Sequence, residues 1–273
     1  MKRLTRPAFA LLALGLFACG QTTGQADEST GPDTGADGDA AAVAQADLEV
    51  LTDPSHEAMN QTAPDAYDVL FHTTAGDFTV HVTRDWAPKG ADRFYNLVVN
   101  GFFNGTYFFR VVPGFVVQWG VHGDPAVTEA WDEAEEGNIE DDPVRQSNTR
   151  GRITFANAGP DTRSTQVFIN FGNNARLDDP RAMRGSVFAP FGEVVGDGMD
   201  VVDALYDEYP VLDYQRFFDP ETAVSQGDLM EKGNAYLEEF FPELDHIISA
   251  TIVEADEEDA DAGDDATEED AAE

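Results

Sequence analysis

The chain has few groups that could cross-link it and few that carry positive charge. Its 273 residues include one cysteine, Cys19, so no disulfide bond can form within the chain. Lysine and arginine number 16 against 53 aspartate and glutamate residues, which gives a formal net charge of −37 at pH 7. Because binding to nucleic-acid phosphates needs clustered lysine and arginine, this charge disfavours a nucleic-acid-binding function. Solubility is the simplest explanation of the excess acid.

Several catalytic signatures are also missing from the sequence. No G-x-S-x-G motif is present, so a hydrolase with that nucleophile is unsupported. The acidic segment 124–142 lacks the D-x-D-x-D-G spacing of a calcium-binding loop. The sequence therefore predicts no metal and no other cofactor. The histidines lie scattered without metal-ligand spacing, at His56, His72, His81, His122 and His246.

The N-terminus has the features of an export signal. A positively charged start precedes an apolar run over residues 8–18, which is too short to span a bilayer. The run ends in Leu-Phe-Ala directly before Cys19, which resembles the lipobox of bacterial lipoproteins. Residues 1–18 are therefore predicted to be a lipoprotein signal peptide, with Cys19 as the lipid attachment point. The alternative is an ordinary secretory signal that is cleaved nearby.

The resemblance to lipoproteins also predicts where the protein is located. We expect an exported protein that is lipid-anchored to the cell envelope. No aspartate follows Cys19, and in Gram-negative lipoproteins that pattern implies the outer membrane, here facing the periplasm.

Composition divides the remainder of the chain into three parts. Residues 19–65 are rich in small and acidic residues and are predicted to be a disordered tether. Residues 256–273 are almost entirely Asp, Glu, Ala, Gly and Thr, and are predicted to be a disordered acidic tail. Residues 66–255 are predicted to form the folded domain.

Within that domain, short apolar runs predict about eight β-strands. Helices are predicted from Pro88 to Asn100, near residues 199–205 and possibly over 226–240, and segment 124–142 is expected to be a long loop. Many short strands with Gly and Pro turns favour a closed barrel or a sandwich. The predicted strands cover residues 67–74, 78–82, 107–112, 115–119, 151–156, 165–171, 186–195 and 246–253.

Arg110 stands out because it lies inside an apolar strand. An unpaired buried charge is very costly, so this arginine must be paired or must face a site. The structural alternative is an arginine whose stem is buried while its charged end reaches water. The same apolar stretch contains Gln118, on the second strand after Pro113-Gly114.

Three motifs in this region resemble the cyclophilins, a family of peptidyl-prolyl cis–trans isomerases. FFRVVPGFVVQWG is similar to the family's F-H-R-I-I-P-G-F-x-x-Q-G-G signature, and ITFANAGPDTRSTQVFIN to its S-M-A-N-A-G-P-N-T-x-x-S-Q-F-F-I segment. FAPFGEVVGDGMDVVDAL resembles the strand and helix that follow. The resemblance covers roughly residues 65 to 255. It implies a mainly β fold, a closed eight-stranded antiparallel barrel capped by two α-helices.

The resemblance also implies a set of site residues. Arg110 matches the family's catalytic arginine, and Gln118 matches the glutamine that orients this arginine and the substrate. Ala156 and Asn157 match the pair whose backbone holds the peptide. The expected substrate-binding residues are Phe115, Val116, Ala156, Asn157, Gln166, Phe168, Leu177 and Phe188.

Three positions depart from the family pattern. Phe109 and Phe188 stand where many members have histidine, and Arg176 stands where many have tryptophan. The tryptophan position matters for cyclosporin binding, so weak cyclosporin sensitivity is expected. An insert at 207–245 contains the run EKGNAYLEEFFPEL, which resembles one in some bacterial relatives.

The resemblance therefore predicts an isomerase that rotates Xaa-Pro bonds and assists protein folding outside the cytoplasm. Its expected partners are Xaa-Pro segments of unfolded or flexible chains, and a monomer is expected. One alternative is a non-catalytic proline-binding or chaperone module with the same fold. Another is an acidic surface protein that uses the barrel only as a scaffold.

Overall fold

The computed structural model describes residues 47–210 and 223–253, and its strands form one antiparallel sheet. The sheet order is β3-β4-β6-β5-β7-β2-β1-β8. The predicted signal peptide, Cys19, most of the predicted tether and the acidic tail lie outside the described residues. The strands are β1 (Ala66–Thr73), β2 (Gly76–Thr83), β3 (Arg110–Val112), β4 (Val116–Trp119), β5 (Arg152–Phe155), β6 (Val167–Asn170), β7 (Gly192–Val195) and β8 (Ile247–Val253).

Six α-helices and four short 3₁₀ helices accompany this sheet among the described residues. In the described part of the chain, none is long and apolar enough to cross a membrane. Short 3₁₀ helices lie at Glu57–Met59, Arg84–Trp86, Glu135–Gly137 and Ala175–Asp178. The α-helices are α1 (Leu48–Leu51), α2 (Pro88–Val99), α3 (Pro125–Glu133), α4 (Gly198–Asp203), α5 (Gln226–Lys232) and α6 (Asn234–Phe240).

The main core lies between the sheet and α2. This helix begins at Pro88, where the missing N–H has no helical partner to lose, and it buries Phe94 and Leu97. The Phe94 ring centroid lies 6.3 Å from that of Phe71 on β1, and Trp119 on β4 contacts Phe71 at 5.7 Å. None of these three aromatic side chains is exposed. The packing of Trp119 in the main core therefore holds the end of β4 in place.

The sheet is open, so the expectation of a closed barrel needs correction. Strand pairing ends at β3 on one edge and at β8 on the other. The two edges meet only outside the ladder, where Tyr107 and His246 form an isolated bridge. Gly105 N also donates to Ile247 O at 2.7 Å, and Ile247 N donates to Thr106 O at 2.9 Å. The cause is the short β3, which starts only at Arg110 after a series of turns.

Segment 124–142 is not the long loop that was predicted, because it contains α3. The Asp124 side chain accepts a hydrogen bond from Ala126 N and caps the helix, and Pro125 occupies its first turn. Val127 and Trp131 are four residues apart and bury the same face of α3. The many acidic residues of segment 124–142 obscured this pattern in the sequence.

The predicted tether is also too long at its C-terminal end. Residues 47–65 contain α1 and a 3₁₀ helix, and they bury Leu51, Met59 and Ala63 in the main core. Trp131 Nε1 donates to Leu51 O at 2.7 Å, which attaches α1 to α3. Residues 47–65 therefore belong to the folded region, which was predicted to begin at residue 66.

Strand β7 is shorter than the predicted strand 186–195. Residues 187–189 lie outside the strand, and their carbonyl groups accept hydrogen bonds from side chains. Thr154 Oγ1 donates to Ala189 O at 2.9 Å. Pro190 has no N–H to offer a ladder, which explains why pairing starts only at Gly192.

The helical part of the insert packs against Phe109 and Val121, the residues directly before β3 and shortly after β4. Gly233, with φ +67°, divides the predicted helix 226–240 into α5 and α6. A Cβ at this position would lie 2.1 Å from Gly123 O, so glycine allows the insert to approach the chain closely. We call the resulting apolar group the insert cluster: Phe109, Val121, Val224, Leu229, Tyr236, Leu237, Phe241 and Leu244.

Candidate functional site

Strands β3 and β4 place Arg110 directly opposite Gln118. The two residues are partners in the antiparallel register, joined through the turn at Pro113-Gly114. Gly114 has φ +72°, a left-handed conformation that glycine adopts without strain. Arg110 Nη1 donates to Gln118 Oε1 at 3.4 Å, which brings together the two polar groups of an otherwise apolar hairpin.

A second glutamine extends this polar row. Gln118 Nε2 donates to Gln166 Oε1 at 2.8 Å. Because Gln118 accepts from the guanidinium through its oxygen, its amide nitrogen is the group left to donate. Gln118 is only 9% exposed, so both bonds hold its amide in one orientation. Hydrogen bonds from both of its neighbours thus hold Gln118 in the polar row Arg110–Gln118–Gln166.

An apolar group lies beside the polar row, and we call it the site cluster. Gln118 on β4 has Arg110 on β3 as its partner on one side and Phe168 on β6 as its partner on the other. The Phe168 and Phe188 rings lie 5.9 Å apart at an angle of 59°. The cluster consists of buried Val116, Phe168 and Leu177, with partly buried Phe115, Ala156, Met183 and Phe188 packed against them. Its partly buried members leave one side within reach of a ligand.

The aromatic ring of Phe115 joins the polar row to the site cluster. The Arg110 guanidinium carbon lies 5.5 Å from the centroid of this ring, within the range of a cation–π contact. The Arg176 guanidinium carbon lies 5.0 Å from the same centroid. A ligand that fills the cluster against Phe115 would therefore lie next to a charged hydrogen-bond donor.

Buried amides hold the segment that carries Leu177. Asn174 Nδ2 donates to Phe115 O at 2.9 Å and to Asn170 Oδ1 at 2.8 Å. Asp178 Oδ1 accepts from Asn148, from its backbone N at 2.9 Å and its Nδ2 at 2.8 Å. Leu177, between these anchors, is 3% exposed.

The sequence reasoning missed four residues of this region: Asn148, Asn174, Asp178 and Met183. Asn148 is fully buried, but nothing near it in the sequence distinguishes it from a surface asparagine. Met183 lies in a loop between two motifs, where no strand or helix period indicates a direction. The run of polar residues from Asn173 onwards was the only signal, since a polar residue beside buried Leu177 needs a partner.

The segment that carries Ala156 and Asn157 is fastened at two points. Ala156 N donates to Gln166 O at 2.9 Å, which continues the β5–β6 pairing by one residue. Asn157 Nδ2 donates to Val187 O at 2.8 Å. These bonds keep the backbone of the pair beside Gln166 and the site cluster.

A buried ionic group supports the far end of the same segment. Arg163 is fully buried, and its Nη1 lies 3.0 Å from Asp142 Oδ2. Asp141 Oδ1 lies 3.5 Å from Arg163 Nε, and burial raises the pKa of the Asp141 carboxyl. Arg93 is also buried, and burial together with repulsion from Arg163 lowers its pKa to about 10. The acidic segment thus fixes the loop that follows Asn157.

Phe109 lies on the opposite face of the chain from Arg110. Its side chain is 2% exposed and packs in the insert cluster. The departure at this position therefore has a structural explanation, because a histidine here would have to find a polar partner among apolar side chains.

The structure brings nearly all of the predicted site residues together. Arg110, Gln118 and Gln166 form the polar row, and the other predicted side chains belong to the site cluster or, for Asn157, adjoin it. Cys19 lies outside the described residues. Within residues 47–210 and 223–253, no group of three or more His, Cys, Asp or Glu side chains could hold a metal ion.

Comparisons with known proteins point to one family. Residues 68–223 match the family described as cyclophilin type peptidyl-prolyl cis-trans isomerase/CLD. Peptidyl-prolyl cis-trans isomerase-like 3 of Rhizopus delemar is 31% identical over 154 residues, which is 54% of this chain and 86% of that protein. Peptidyl-prolyl cis-trans isomerase CYP18-1 of Arabidopsis thaliana is 32% identical over 140 residues, or 50% of this chain and 81% of that protein.

Solved structures are similar only at a distance. A crystal structure of a cyclophilin type peptidyl-prolyl cis-trans isomerase from Cryptosporidium parvum covers 70% of this chain and 99% of its own. The sequence identity is 18% and the TM-score is 0.47.

Proposed function

The chain belongs to the cyclophilin-type peptidyl-prolyl cis-trans isomerase family, and we propose that Arg110 and Gln118 catalyse its reaction, the rotation of Xaa-Pro peptide bonds. Rotation is slow without a catalyst, on the order of tens to hundreds of seconds, because the nitrogen lone pair is conjugated with the carbonyl group. No covalent bond is broken, so the reaction needs no nucleophile. The enzyme has only to stabilise the twisted state.

Arg110 is suited to that task by its chemistry. In the twisted state the nitrogen lone pair is no longer shared with the carbonyl group, so it can accept a hydrogen bond. A guanidinium donor therefore interacts more strongly with the twisted bond than with the planar one, and this difference lowers the barrier. Gln118 accepts from Arg110 and is held in turn by Gln166, so the donor keeps one orientation.

The site cluster would bind the proline ring. Proline is compact and apolar, and Phe115, Phe168 and Leu177 offer an apolar surface of matching character. Fixing the ring leaves the acyl side of the bond to rotate. The substrates we propose are Xaa-Pro segments of unfolded or flexible chains, bound by a monomeric enzyme.

The observation that carries this proposal is the shared position of Phe115. Its ring belongs to the site cluster and also lies 5.5 Å from the Arg110 guanidinium carbon. A proline ring on that surface would have its nitrogen near a fixed cationic donor. A non-catalytic binding module would need the apolar cluster but not the oriented arginine.

The test is Arg110→Ala in an NMR exchange assay on an Ala-Pro peptide. Removal of one well-placed donor typically costs about 10²- to 10³-fold in rate, so we expect kcat/KM to fall by that factor with an unchanged circular-dichroism spectrum. Arg145→Ala is the matched control, because Arg145 is exposed and pairs with Asp85. Full activity in folded Arg110→Ala would contradict the role of Arg110. An inactive wild type that still binds the peptide would favour the non-catalytic alternative.

We propose in addition that the protein is exported and lipid-anchored through Cys19, in the outer membrane facing the periplasm. This proposal is supported by the sequence alone: a basic start, a short apolar run and a small residue directly before cysteine. Labelling with a radioactive fatty acid in a bacterial host, with Cys19→Ala as control, tests it. Equal label in both proteins, or none in the wild type, would contradict acylation at Cys19.

A further inference from the structure

In the described part of the chain, most basic side chains already have a carboxylate partner. Since the chain carries a net charge of −37, acidic groups are abundant, and a basic side chain without a carboxylate partner is unusual. Arg176 and Arg184 are exposed and have no described carboxylate within salt-bridge distance. The described pairs include Arg84–Asp92, Lys89–Glu140, Arg145–Asp85, Arg150–Asp203, Arg152–Glu193, Arg163–Asp141, Arg163–Asp142, Arg181–Asp179 and Lys232–Asp228.

Arg176 lies at the rim of the site. Its guanidinium carbon is 5.0 Å from the centroid of the Phe115 ring, and the next residue, Leu177, belongs to the site cluster. An arginine that stacks on an aromatic ring keeps its N–H donors in the plane of the guanidinium group, where they remain available to a ligand. The side chain is therefore positioned by the same ring that we assign to proline binding.

The carboxylates nearest in sequence are engaged elsewhere. Asp178 Oδ1 accepts from Asn148, and Asp178 Oδ2 accepts from Ser147 Oγ at 2.5 Å. Asp179 binds Arg181 through both oxygens, with Nε at 2.9 Å and Nη2 at 3.0 Å. Neither carboxylate forms a salt bridge with Arg176, whose guanidinium group lies over the Phe115 ring of the site cluster.

Arg184 adds positive charge to the same segment. It follows Met183, which packs against the site cluster, and it has φ 56°. The segment from Arg176 to Arg184 thus carries two exposed guanidinium groups with no carboxylate partner among residues 47–210 and 223–253, in a chain that is otherwise strongly acidic.

We propose that Arg176 gives the enzyme a preference for proline segments that carry an acidic side chain directly before or after the Xaa-Pro unit. This inference rests on the proposed function. A carboxylate can accept two parallel N–H bonds from a guanidinium group, and its negative charge strengthens them. The amide of glutamine has the same size but carries no charge. The net negative charge of the chain repels acidic peptides only within a Debye length of ~8 Å at physiological salt, whereas Arg176 acts at contact distance.

The experiment compares peptides that differ only in glutamate or glutamine beside an Ala-Pro unit, with the variable residue placed before or after it. Exposed ion pairs are worth little, so we expect a roughly two- to fivefold higher kcat/KM for the glutamate peptide on at least one side. Arg176→Gln should bring this ratio to about one, and Arg176→Lys should retain part of it because the charge remains. Raising the salt concentration should reduce the wild-type ratio.

Arg181→Gln is the matched control, because Arg181 is exposed on the same segment but is already paired with Asp179. We expect the glutamate-to-glutamine ratio of this variant to equal that of the wild type. A ratio near one in active wild type, or an unchanged ratio in Arg176→Gln, would overturn the inference. If the wild type does not isomerise any peptide, the proposed function fails, and the ratio of the two dissociation constants in an NMR titration still decides the preference.

Discussion

The two faces of the chain at Phe109 and Arg110 differ sharply in what surrounds them. Arg110 meets amides and partly buried rings on the site side, whereas Phe109 is enclosed by the insert cluster. In the insert cluster eight side chains are buried, and Phe241 packs edge-on against Tyr209 at 5.1 Å and Tyr236 at 5.5 Å. The site cluster has only three buried side chains, and four others remain partly exposed.

This difference shows how two consecutive residues can serve stability and binding separately. An apolar group that must receive a proline ring cannot be fully covered, so it contributes less buried surface to the fold. The insert cluster has no such limit, and it buries Phe109, directly before β3. We therefore expect substitutions in the insert cluster to lower stability, and substitutions in the polar row to lower activity.

The largest effect should follow from Leu237→Ala, which empties part of the insert cluster. Leu237 is fully buried, and such truncations cost about 2–5 kcal/mol of unfolding free energy. Chemical denaturation measures this loss, and kcat/KM of the folded variant at low temperature should remain close to the wild-type value. A large drop in kcat/KM without loss of stability would show that the two faces are not separate.

Gln118→Leu should produce a smaller effect, and it should lower activity more than stability. The substitution removes the group that accepts from Arg110 and donates to Gln166. A hydrogen bond of this type contributes about 0.5–1.5 kcal/mol, so kcat/KM should fall by roughly two- to twelvefold. Denaturation should show a loss of stability well below that of Leu237→Ala. If Gln118→Leu destabilises the protein as strongly, the polar row belongs to the core and not to a separable site.

The smallest effect should be a pH dependence of stability that arises from His122, the residue after Val121 of the insert cluster. Burial lowers the pKa of His122 below 6.5, and its Nδ1 accepts from Asp124 N at 3.0 Å. The unfolded state therefore binds more protons, and the stabilising contribution is present above pH 6.5 and lost as the pH falls through the folded-state pKa. His122→Asn keeps an acceptor but does not titrate, so it should lose less stability than the wild type between pH 7 and 5. Equal losses would contradict this contribution.

The site was more predictable from the sequence than the regions around it. Arg110, Gln118 and Phe168 lie in short motifs on paired strands, so strand alternation and the family resemblance together indicate their arrangement. The family and its isomerase activity, inferred from those motifs, are confirmed by the match over residues 68–223. The helix α2 also begins at Pro88, where the local signals predict it.

Long-range packing accounts for what the sequence did not reveal. Residues 47–65 look like a tether because their few apolar side chains are far apart, yet Leu51 and Met59 fill the core once α2 and α3 are present. The strand pattern predicts eight strands whose edges need hydrogen-bond partners. It does not predict that the turns before β3 shorten this strand and leave the sheet open. Met183 reaches the site cluster from a loop, where no periodicity exists to indicate it.

The pairing of β1 with β8 has a consequence for the order of events during synthesis. The first strand of the sheet lies between β2, its immediate neighbour in sequence, and β8, which is made last. Until residue 253 has emerged, one side of β1 has no partner, and such an unpaired side invites contact with other chains. Pairing over so long a stretch of chain also slows folding. A nascent molecule of this protein would thus remain vulnerable until its final strand arrives.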